Sequence, residues 1–185
     1  AVARAVGRVA GRWAGAPEGR RAVVRAAMRA ALPEVEAHEA GAEAIPVPDP
    51  FPGYGADASE QVRRTRWLSV SEGSLTEKAR GYFSLNDGCV FLLPAAWYDT
   101  VTAVTDTLTG DIVFCRYDGE MNDHMTELLR YSVAQDAETR EEREAEGYRL
   151  LHTRGKASYY MKAAETEDDL AQPWETLMVR FLFVQ

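Results

Sequence analysis

The densest group of side chains able to do chemistry is the stretch DGEMNDHMTE, residues 118–127. It offers Asp118 and Glu120, then Asp123, His124 and Glu127. A helix is predicted to begin near Asn122, which would put Asp123 and Glu127 on one face and His124 three residues before Glu127. Oxygen and nitrogen ligands could then converge on a metal ion. The spacing is neither HExxH nor a calcium-loop pattern, and no second helix offers matching ligands. Acids at a helix start also oppose the helix dipole, so capping alone explains them. Asp123, His124 and Glu127 therefore stand only as weak candidates, and no bound metal and no cofactor is expected.

Other chemistry is sparse. There is no GxSxG, no GxGxxG and no GKS or GKT, so the nucleophile-elbow and phosphate-loop signatures are absent from the sequence. Cys115 and His152 lie in two strand-like runs and could meet only if those strands paired closely. Tyr148, Tyr159 and Tyr160 could stack on bases, although tyrosines on a sheet are more simply core. Gly7 and Gly11 are a weak signal for close helix contact. Two cysteines, Cys89 and Cys115, are too few for a disulfide scaffold.

The elements that would position these groups follow from charge and periodicity. Apolar content of 46% across 185 residues suits a chain with one packed core, and no apolar run approaches the length of a membrane span. Charge is unevenly spread. Residues 1–32 carry seven arginines and one glutamate, a net of +6, whereas the whole chain is −8, so the remainder carries −14. An acidic body argues against gripping nucleic acid or anionic lipid through the body itself.

Arg4, Arg8 and Arg12 form one ladder of four-residue steps and Arg21, Arg25 and Arg29 another, with Trp13 and valines opposite the first. The pattern predicts a basic arm of two amphipathic helices over residues 1–45, broken at GAPEG. The run IPVPDPFPG then predicts an extended linker over 46–58. Residues 59–185 are predicted to form an α+β domain. Its expected form is a mainly antiparallel sheet of six or seven strands with one long helix.

Within that domain a first strand is expected near 66–71, followed by a short helix where SLTE (74–77) has capping-box spacing. Asn86-Asp87-Gly88 predicts a hairpin. Trp97, Val101, Val104 and Leu108 fit helical spacing, but the β-branched run Thr100 to Thr105 favours a strand, so a second hairpin around Asp106–Gly110 is the reading adopted. Met121, Met125, Leu128, Leu129 and Val133 predict the long helix, 122–146, whose second half is charged all round. A third hairpin is expected at Arg154-Gly155. LMVRFLFV, apolar on both faces, reads as a central last strand.

Poor in catalytic constellations and rich in adhesive ones, the sequence predicts a non-catalytic accessory subunit of a larger protein assembly. Its docking residues would be Arg4, Arg8, Arg12, Trp13, Arg21, Arg25 and Arg29. Other protein subunits are the expected partners, with peripheral membrane contact open to the arm. Alternative readings are a small enzyme or ligand-binding protein with a site near Asp118–Glu127, and nucleic-acid binding through the arm. An Arg- and Ala-rich, acid-poor arm is also the composition of a mitochondrial targeting segment, which makes the mitochondrion the expected location and a bacterial cytoplasm the alternative.

Overall fold

A computed structural model of the chain describes residues 45–55, 62–71 and 74–183. All seven docking residues named above, Arg4 through Arg29, lie outside the described residues. The architecture is mostly β: two five-stranded sheets and two short α-helices among the described residues. That corrects the expected single sheet with a long helix. Backbone contacts divide the described chain into two compact units, one of 45–49, 63–71, 74–93 and 182–183, the other of 50–55, 62 and 94–181.

The first unit holds a sheet in the order β1-β2-β3-β4-β10. Its strands are β1 (Ile45–Pro50), β2 (Arg63–Ser71), β3 (Ser74–Ser84), β4 (Cys89–Leu92) and β10 (Phe181–Phe183). The proline-rich segment is extended, as alternating prolines require, but it pairs with β2 rather than standing free. Along a strand the N–H direction alternates, so Pro46, Pro48 and Pro50 all remove donors from one side. An edge strand tolerates this, because its outer side has no partner to bond. Arg64, almost fully buried, ties β1 to β2 by donating from Nε to Asp49 Oδ2 at 2.7 Å. SLTE is the start of β3 and not a helix. Its residues alternate between exposed and half-buried, the period of a strand, and pair with Val70, Ser69 and Leu68 across the ladder.

The second unit holds the order β5-β6-β7-β9-β8. These are β5 (Val101–Thr105), β6 (Ile112–Arg116), β7 (Glu127–Ala134), β8 (Arg149–Arg154) and β9 (Ala157–Ala163). Two helices accompany them, α1 (Ala137–Ala145) and α2 (Trp174–Met178). Phe114 is fully buried against the edge of Phe51, centroids 6.1 Å apart, and beside Trp97 at 6.4 Å. Trp97 Nε1 donates to the Leu170 carbonyl at 2.8 Å, and Tyr131 stacks on Phe181 at 5.5 Å.

All three expected hairpins are present. β3–β4 closes at Ser84↔Cys89, β5–β6 at Thr105↔Ile112 and β8–β9 at Arg154↔Ala157. Each turn uses a glycine with positive φ: Gly88 at 60°, Gly110 at 76° and Gly155 at 60°.

The predicted helix over 122–146 is overturned. Leu128, Leu129, Tyr131, Ser132 and Ala134 are all buried, so ELLRYSVA has both faces covered, which is how an inner strand reads. Helix begins only after Asp136, whose carboxylate caps it by accepting from Thr139 N at 2.8 Å. The expected central last strand is likewise corrected. Pro173 starts a helix, its carbonyl accepting from Thr176 and Leu177, and only Phe181–Phe183 remain as a strand at the sheet edge.

Gly81 allows β3 and β4 to approach closely, since a Cβ there would lie 2.4 Å from the Phe91 carbonyl oxygen and 3.0 Å from the Trp67 ring. Both neighbours are nearly fully buried and cannot step aside. Gly81→Ala is expected to destabilise the protein by about 1–3 kcal/mol, read as a lower midpoint in urea unfolding. An unchanged midpoint contradicts this packing.

Candidate functional site

The loop joining β6 to β7 carries most of the sequence-predicted ligands, and it is a loop rather than a helix start. Asp123 and His124 are exposed in it, with His124 N donating to Asn122 Oδ1 at 2.9 Å. Glu127 opens β7, and both its carboxylate oxygens accept from Arg130 Nε, at 2.9 and 2.8 Å. The face shared by Asp123 and Glu127 disappears with the helix that required it. Among the described residues no three His, Cys, Asp or Glu side chains gather as metal ligands.

The loop does border a cleft of about 470 Å³, lined by Arg116, Asp118, Glu120, Asn122, His124 and Met125. Arg116, at the end of β6, dominates it. Its Nε donates to Asp118 Oδ1 at 3.0 Å, and its Nη1 donates to both oxygens of Asp168 at 3.0 and 3.2 Å and to Asp169. Hydrogen bonding to Arg116 holds the Asp169 carboxyl below the usual range. Asp168 Oδ1 also accepts from Leu170 N at 2.9 Å. One guanidinium thus joins the loop after β6 to the chain before α2.

A second polar group was not legible as a site in the sequence. Asp111, at the entrance to β6, is buried, and its Oδ2 accepts from Tyr148 Oη at 2.6 Å. Arg143 of α1 lies with Nη2 3.6 Å from Asp111 Oδ1, and its Nε donates to Ser132 Oγ on β7 at 2.8 Å. Arg130 Nη1 lies 4.0 Å from Asp111 Oδ2 and donates to Asp106 Oδ2 at 2.8 Å. Burial, then the bond to the Asp111 carboxylate, pushes the Tyr148 hydroxyl up, so it stays protonated and donates. A cleft of about 590 Å³ runs beside this group, between Leu108 and Thr109 of the turn and Thr139, Arg143 and Glu146 of α1 or its end.

Neither group is arranged as a nucleophile with its base. Burial, then the nearby Glu127 carboxylate, pushes the Cys115 thiol up to about 11, so it is protonated at neutral pH. His152 sits on β8, with β7 and β9 between it and β6. Three strand spacings separate the two backbones by about 14 Å, so the Cys115–His152 pairing does not form. Tyr148, Tyr159 and Tyr160 are all buried, which removes them as a stacking platform. No helix among the described residues is long and apolar enough to cross a membrane.

No protein-family model, no curated protein and no solved structure matches the chain.

Asp106 tests the electrostatics of the second group. The hydrogen bond from Arg130, followed by that from Leu108 N, holds its carboxyl below the ordinary range. With the folded value below the unfolded one, the pair stabilises above the unfolded value and is lost as pH falls through the folded value. In Arg130→Gln the Asp106 titration, followed by carboxyl carbon NMR, is expected to shift upward towards the ordinary carboxylate range. A midpoint unmoved by the substitution contradicts the assignment.

Proposed function

We propose that this protein is a non-catalytic accessory subunit of a larger protein assembly, docked through the basic residues 1–32. The observation that carries the reading is the charge separation, +6 in those residues against −14 in the rest. Inside the described body, Arg64, Arg66, Arg80, Arg116, Arg130 and Arg143 each pair with a carboxylate. Those arginines are engaged within the body. Glu138, Glu141 and Glu142 on α1 are exposed and form no ion pair among the described residues, leaving an acidic exterior. A body of this sign meets nucleic acid or anionic lipid unfavourably. Residues 1–32 then supply the positive surface for a protein partner that carries acidic groups. A mitochondrial location belongs to the same proposal and rests on the composition of that segment.

Replacing Arg4, Arg8, Arg12, Arg21, Arg25 and Arg29 with Gln in the full chain tests the proposal. The variant is expected to keep the thermal unfolding of the wild-type body but to elute alone where the wild type co-purifies with its partners. Retention of the six-fold variant in the assembly rules the reading out. Loss of binding to nucleic acid, in place of protein, would transfer the function to the arm's phosphate-binding alternative.

A further inference from the structure

Helix α1 lacks the apolar stripe that normally holds a helix on a sheet. Among its nine residues, AETREEREA, the one buried side chain is Arg143. The guanidinium donates to Ser132 Oγ at 2.8 Å and to Glu146 Oε2 at 3.2 Å, and it lies 5.4 Å from the centre of the Tyr148 ring. Two further contacts are polar too. Tyr160 Oη donates to Glu144 Oε1 at 3.0 Å, and Arg140 Nη2 donates to the Lys156 carbonyl. Beneath the helix, the floor includes buried Ser132, Asp111, Tyr148 and Tyr160.

Three consequences follow for lifting this helix. Ala137 and Ala145 are exposed already, so the helix itself returns almost no apolar area to water, and the apolar cost of release is limited to the floor it covers, the rings of Tyr148 and Tyr160 with Ala134. Each lost hydrogen bond is replaced by one to water at small net cost. Most telling is Asp111. When Arg143 leaves, the carboxylate keeps the 2.6 Å bond from Tyr148 and the Arg130 guanidinium 4.0 Å away, so it is not stranded as a bare buried charge. The cleft of about 590 Å³ already opens alongside Arg143 and gives water a route to it. Asp136 at one end and Gly147, with φ of 86°, at the other bound the segment that moves.

We propose that α1 is a detachable latch: Arg143 holds it down, and it lifts as a unit while β7, β8 and β9 stay folded. Lifting uncovers a face of hydroxyls and one carboxylate, Ser132, Tyr148, Tyr160 and Asp111, that the closed helix hides.

Amide hydrogen exchange on the full chain tests this. The amides of Glu146, Gly147 and Tyr148, which follow α1 and donate to its Glu142, Glu144 and Arg143 carbonyls in the closed state, report its lifting and are expected to exchange about tenfold or more faster than those of β7 and β9. Their rates should rise less steeply with mild denaturant than those of β7 and β9, because lifting exposes only the face beneath one helix. Arg143→Ala should speed α1 by a further order of magnitude and leave the two strands where they were. Exchange of α1, β7 and β9 together with one denaturant slope overturns the proposal. So does a wild-type-like α1 rate in Arg143→Ala.

Discussion

A carboxylate buried at the entrance to β6 organises the second unit. Taking Asp111 out of water costs several kcal/mol unless its charge is met by hydrogen bonds and a cation. The fold meets it with the Tyr148 hydroxyl at 2.6 Å and two flanking guanidiniums, Arg143 and Arg130. These partners come from the residue before β8, from α1 and from β7. Satisfying one acid therefore sets where the helix lies on the sheet and where the chain re-enters it. The same demand explains why a helix without apolar side chains on its inner face is docked at all. Its anchor is a charge, and a charge can be exchanged for water in a way that a leucine cannot.

The sheets are closed to strand addition, each edge by different means. Three prolines remove donors from one side of β1. β10 is only three residues long. β8 carries a register shift between Leu150 and His152 and an arginine at each end. β5 is covered by the turn that follows β1, where Tyr54 Oη donates to the Ala103 carbonyl and Thr102 Oγ1 to that of Pro52, at 3.0 and 2.7 Å. Such devices suppress unwanted pairing between sheets. A body whose edges are blocked in this way offers a partner no backbone to pair with, and six of its arginines already pair with its own carboxylates. That is why the proposed docking function falls to residues 1–32.

How much of this the sequence disclosed depended on how local the signal was. The hairpins were legible because Gly88, Gly110 and Gly155 sit where the turn needs positive φ, a requirement contained in four or five residues. The strand at 127–134 was not. Met125, Leu128, Leu129 and Val133 fit a helical period as well as a doubly buried strand, and only burial of the intervening Tyr131 and Ser132 separates the two. LMVRFLFV failed in the opposite direction: its apolar run is split between a helix begun by Pro173 and a short strand. The site reading had the same limit. Asp118 to Glu127 looked dense because its acids are neighbours in sequence. The group that is dense in space joins residues 106, 111, 130, 132, 143 and 148, drawn from a turn, one strand, a helix and the residue before β8. The one available hint was a helix charged all round, which had to be held by something other than apolar contact.

The central claim is that the protein works as a subunit, and the native mass of the full chain in an untreated extract of its own cells tests it most directly. The account predicts that all of it migrates in a stable complex several times the mass of the single chain, and that this complex dissociates as salt screens the arginines. Migration as a single chain at low salt would contradict it.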